Sequence, residues 1–122
     1  MKFLHHFSFK NYLQISVDIM AETQRLVMVD TGSGSTCRTF VFKNEGHTLG
    51  NALRAVILQN PEVIFCGYTL PHPAEDQMHL RIQTIAGVDA QDALLKGLQD
   101  LKAVTAHTKK VFSQSVADSK LN

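Results

Sequence analysis

The feature that most constrains this chain is residues 45–61, Glu-Gly-His-Thr-Leu-Gly-Asn-Ala-Leu-Arg continuing as Ala-Val-Ile-Leu-Gln-Asn-Pro. Leu49, Ala52, Leu53, Val56 and Ile57 recur at i, i+3, i+4, i+7 and i+8, one face of a helical repeat. Thr48 stands just before the apolar series, where its hydroxyl can accept from an unpaired backbone N–H. Asn51 occupies the place where a capping box would have Glu or Gln. Asn60-Pro61 ends the helix, because the proline ring disfavours the α region for the residue before it. Gly50 costs helix stability, about 1 kcal/mol relative to Ala, so its presence in the first turn predicts close approach by another group.

The remaining elements are arranged around that helix. Residues 26–30 read as a short strand, and Thr31-Gly32-Ser33-Gly34-Ser35 as a turn or loop. Residues 37–43 form a second strand closed by Asn44-Glu45-Gly46, and residues 63–70 a third. Pro71-His72-Pro73-Ala74-Glu75-Asp76 is a rigid turn, since each proline fixes φ and removes a donor. Met78, Leu80, Ile82 and Thr84 alternate with His79, Arg81 and Gln83, the mark of a half-buried antiparallel strand. Asp89 caps a second helix, with Asp92 adding favourable charge in its first turn. That helix runs to about Ala117, roughly 40 Å at 1.5 Å per residue. Leu94, Leu98, Leu101, Val104, Val111 and Phe112 lie mostly on one stripe of it, with Leu95 off the stripe and Gly97 inviting close packing.

The order strand, strand, helix, strand, strand, helix predicts one α+β domain, a four-stranded antiparallel sheet with both helices on one face. Its expected bounds are 26–117, between an N-terminal extension over 1–25 and a tail over 118–122. Within the extension, Leu13, Ile15, Val17 and Ile19 alternate as a short strand would, and Met20 is the expected natural start, with the first 19 residues an upstream extension. No run there is long enough for a signal h-region or a transmembrane helix. A sheet of short strands covers only part of a 40 Å helix. From about Val104 the stripe therefore has no expected partner within the chain, the mark of an interaction surface.

Composition and motifs assemble no active site. A net charge of +1 lacks the basic excess of a dedicated nucleic-acid binder. Cys37 and Cys66 belong to no metal or redox motif and read as small buried hydrophobes in a reducing compartment. His47 beside Thr48 reads as a helix-terminal residue that packs or hydrogen-bonds locally rather than as a base. Cys66 with His72 lacks an orienting third group, and a mid-strand thiol is blunted by burial. The six histidines are scattered without metal-site spacing. Gly32-Ser33-Gly34 is no phosphate loop, and Lys109-Lys110 reads as a solvated helix face. No catalytic residue, cofactor or metal is expected.

Residues 45–54 closely resemble the signature of the alpha-like subunits of cellular RNA polymerases, with His47-Thr48-Leu49-Gly50-Asn51 as the specific core. Asn60-Pro61-Glu62-Val63, Phe65-Cys66-Gly67-Tyr68-Thr69, Pro71-His72-Pro73 and Leu80-Arg81-Ile82-Gln83-Thr84 follow in the family's order and spacing. The resemblance covers about residues 37–112 and is to the small, single-domain subunits of archaea and eukaryotes. The blocks around Asn60 and Cys66 are most similar to the subunit shared by eukaryotic RNA polymerases I and III. The polymerase II counterpart and the archaeal subunit are the alternatives. The resemblance implies a nuclear, non-catalytic assembly subunit that dimerises through its helices with a larger alpha-like subunit. That heterodimer would be the platform for the large catalytic subunits, and nucleic acid would be met only through the assembled enzyme. Leu49, Leu53, Val56 and Ile57 are assigned mainly to packing beneath the first helix, with Leu49, Gly50 and Leu53 also counted among partner contacts. Asn51 and Arg54, on the other side of that helix, and Leu98, Leu101, Val104, Val111 and Phe112 on the second complete the expected partner-binding set. Competing readings are a small enzyme using Cys66 or a histidine, and an interaction module outside transcription.

Overall fold

In the computed structural model, residues 25–29, 32 and 34–120 are described. The expected strand over 13–19 and the start at Met20 lie outside them. Strands β1 (Leu26–Val29) and β2 (Cys37–Lys43) precede helix α1 (His47–Ile57). Strands β3 (Val63–Thr69) and β4 (Gln77–Thr84) then lead to helix α2 (Ala90–Ser119). The sheet order is β1-β2-β4-β3 with every neighbouring pair antiparallel. α1 carries the chain from β2 across to β3, and β4 returns between them.

The alternation in β4 sets the two faces of the sheet. Met78, Leu80, Ile82 and Thr84 are buried, and the register places Phe42, Phe40, Cys66 and Tyr68 beside them on the same face. Both helices cover that face. Leu49, Leu53 and Ile57 of α1 and Ala90, Ala93, Leu94, Leu98 and Leu101 of α2 join one core cluster with Phe40, Phe42, Met78, Leu80 and Ile82. Each large apolar side chain fully withdrawn from water there contributes on the order of 1.5–3 kcal/mol.

The two helices begin differently. Asp89 caps α2 as expected, accepting from the Gln91 N–H at 2.7 Å. At α1 the cap is Gly46, with no side-chain hydrogen bond, so Thr48 lies inside the first turn instead of before it. The apolar series starts two residues after the helix does, which is why pattern alone sets the start too late. Buried Thr84 ties β4 to the entry of α2: its hydroxyl donates to the Val88 carbonyl at 2.5 Å. α2 ends at Ser119, two residues beyond the expected Ala117.

Candidate functional site: the two-helix face

The face is built from α2 outward. Ala90, Ala93, Leu94, Gly97, Leu98 and Leu101 are its buried residues, a run of i, i+3, i+4, i+7, i+8 and i+11. At about 100° per residue, Val104, Thr108, Val111, Phe112 and Ser115 continue the same line within about 60° of Thr108. Coverage stops at Leu101, which is 4% exposed, whereas Val104, Val111 and Phe112 are 53%, 49% and 69% exposed. Residues 102–119 project about 27 Å past the last covered side chain.

The hydroxyls on that projecting stripe are already satisfied. Thr105 donates to the Leu101 carbonyl at 3.0 Å, Thr108 to Val104 at 2.8 Å, Ser115 to Val111 at 3.0 Å and Ser119 to Val116 at 2.8 Å. A stripe that looks half polar by composition can therefore be desolvated without stranding a hydroxyl donor. Valine, phenylalanine and internally bonded hydroxyls together form a surface suited to burial against another helix.

Several residues expected at a partner surface belong to the core instead. Leu98 and Leu101 are closed off by their own chain, on the side of Val104 where the sheet and α1 still cover the stripe. Leu49 and Leu53, also counted among partner contacts, are buried beneath α1, in the packing role mainly assigned to them. Gly50 is approached from inside: a Cβ there would stand 2.6–2.7 Å from the Tyr68 ring and 2.8 Å from the Met78 sulfur. A Cβ on Gly97 would collide with the Ile57 side chain, so this glycine lets α1 and α2 pack closely. Asn51 and Arg54 are exposed on the outer side of α1.

The candidate reactive groups are quiet. His47 Nδ1 lies 2.9 Å from the Tyr68 hydroxyl, and the two rings meet edge to face. This contact pins the start of α1 to β3, twenty-one positions away in the chain, and no local sequence signal announces it. Burial of Cys66 pushes its thiol up to about 11, against a smaller opposing pull from Arg54. The thiol is therefore protonated at neutral pH, which removes the nucleophile a Cys66 enzyme would use. Cys37 is also buried and free, with an Arg81 guanidinium N–H 3.3 Å from its sulfur. Among the described residues, no group of three or more His, Cys, Asp or Glu is placed to hold a metal. No helix among them is long and apolar enough to cross a membrane.

A family model described as the RNA polymerase Rpb3/Rpb11 dimerisation domain matches residues 37–111, from the start of β2 to Val111 on the projecting stripe. The chain belongs to this dimerisation-domain family. Two curated relatives are subunits of DNA-directed RNA polymerases I and III. Subunit RPAC2 of DNA-directed RNA polymerases I and III from Drosophila melanogaster is 51% identical over 89 residues, 73% of this chain and 84% of the relative. The Saccharomyces cerevisiae subunit of the same name is 43% identical over 95 residues, 78% of this chain and 67% of the relative. The fold is similar to that in the crystal structure of DNA-directed RNA polymerase subunit L from Thermoplasma acidophilum. It superposes with a TM-score of 0.66 over 80% of this chain and 93% of that one, at 18% identity.

Proposed function

We propose that this chain is a non-catalytic assembly subunit of DNA-directed RNA polymerases I and III, working in the nucleus and nucleolus. It pairs with a larger alpha-like subunit, and the heterodimer is the platform on which the large catalytic subunits assemble. The observation that carries this reading is the apolar line of α2 continuing past Leu101 into Val104, Val111 and Phe112, which are exposed among the described residues. Family membership and the shared name of the relatives support the choice of polymerase. Val104, Val111 and Phe112 are the proposed centre of the contact, flanked by Asn51 and Arg54 from α1. Leu49, Gly50, Leu53, Leu98 and Leu101 act at one remove, holding the two helices in position. Catalysis and nucleic-acid contact belong to the other subunits of the enzyme, and this chain needs no cofactor.

Co-expression with the larger alpha-like subunit tests the reading. A soluble one-to-one heterodimer is expected, and Phe112→Asp is expected to abolish it, because the substitution buries an unpaired charge at the contact. Undiminished co-purification of Phe112→Asp would place the interface elsewhere.

A further inference from the structure

The projecting part of α2 has two unlike flanks. Taking Thr108 as the centre of the stripe and about 100° per residue, Lys102 and Lys109 fall about 100–120° round the helix on one side, and Lys120, the C-cap just past the helix, continues that line. No carboxylate lies on that side of α2. The opposite flank is mixed: within the projecting part it carries His107 and Gln114, which donates to Asp118 at 2.9 Å, and before it Lys96 pairs with Asp100 at 2.7 Å. Lys110, although next to Lys109 in the chain, lies about 160° from Thr108, on the back of the helix.

The fold also restricts how a second helix can lie on the stripe. The sheet and α1 fill the space under the first half of α2, on the same side as the exposed stripe. A second copy running parallel and in register would need that space for its own first half. A two-fold pair with the projecting segments antiparallel avoids that overlap. A two-fold axis relating antiparallel helices sets each flank against the same flank of the other copy. Lys109 is close to the middle of the segment 102–119, so its symmetry mate would stand almost opposite it. Like charges placed that way oppose pairing, whereas an acidic flank on the facing helix would favour it.

We infer that the lysine flank of α2, with Lys109 at its centre, selects an antiparallel partner helix whose facing edge is acidic and disfavours a second copy of this chain. The inference rests on the pairing proposed above and adds the chemistry of the partner's edge. Lys109 is thereby separated in role from Lys110. Both are exposed, so reversing either charge leaves the folded chain intact.

The test is the dissociation constant of the full-length heterodimer with the larger alpha-like subunit, measured at low and high ionic strength. Lys109→Glu is expected to weaken it about fivefold to tenfold at low salt and to remove much of its salt dependence. Lys110→Glu is expected to leave it within about twofold of the native value. Equal effects of the two reversals, whether both weaken binding or neither does, would overturn the inference. Phe112→Asp separates the two levels. If it abolishes the heterodimer while the lysine reversals are equal, the interface stands and the charge selection falls. If it leaves the heterodimer intact, the interface itself is wrong.

Discussion

The two halves of α2 have nearly the same apolar periodicity and opposite surroundings. From Ala90 to Leu101 the stripe is sealed against α1 and the sheet, and from Val104 onward the same line of positions meets solvent. The first half is made of alanine, glycine and leucine, small residues alternating with large ones so that a neighbouring helix can approach. The second half replaces leucine with valine, phenylalanine and hydroxyls bonded back to the helix. One helix thus serves as core in one half and as surface in the other. What differs is where the four short strands end.

The contrast breaks most visibly through stability. Leu101→Ala empties a sealed site and is expected to cost about 2–5 kcal/mol, whereas Phe112→Ala changes the stability of the chain alone by less than about 0.5 kcal/mol. Chemical denaturation of the two variants measures the difference, and comparable losses would mean that the stripe is covered along its whole length.

Alkaline titration probes the core that the helices cover. The folded Cys66 thiol is raised to about 11 from an ordinary 9.0, so below pH 9 it is protonated in both states and contributes no pH dependence. Between about pH 9 and 11 the unfolded chain releases this proton and the folded chain does not, so stability falls as pH rises. The expected loss is up to about 2–3 kcal/mol across that window, and Cys66→Ala should remove it. A Cys66 that reacts readily with thiol reagents at neutral pH would contradict the sealed core.

A smaller effect sharpens the junction between the halves. Gly97→Ala drives a methyl into Ile57, at a cost of about 1–3 kcal/mol from overpacking, offset by up to about 1 kcal/mol of helix propensity. Ile57→Ala removes the Cγ1 and Cδ1 atoms that the methyl meets and leaves only the more distant Cβ, so in that background part of the Gly97→Ala loss should be recovered. No recovery in the double variant would show that the glycine serves something other than the α1–α2 contact.

Most of this organisation is legible in the sequence, and its failures have physical causes. β2 is bounded by residues that fix it, from Cys37 to the turn at Asn44, where a φ of 60° suits asparagine. Asp89 announces the start of α2 because capping is local chemistry. Gly46 does not announce α1, because a glycine cap leaves no side-chain signature. Gly50 signals that something approaches, but Tyr68 and Met78 are brought there by the sheet and are invisible to periodicity. The same limit applies at Leu98 and Leu101, which lie on the stripe and are buried by their own chain. Periodicity marks the stripe, but only the reach of β4 and α1 says where it passes from core to surface. The exposed part, from Val104 to Phe112, follows once helix length is set against strand length.

The central claim is that the uncovered half of α2 is a contact for another subunit, and co-purification of Phe112→Asp with the larger alpha-like subunit tests it most directly. The account expects the variant chain to keep its own fold and lose the heterodimer, by a factor of at least about a hundred in affinity. A folded Phe112→Asp chain that still binds the larger subunit at native strength would contradict it.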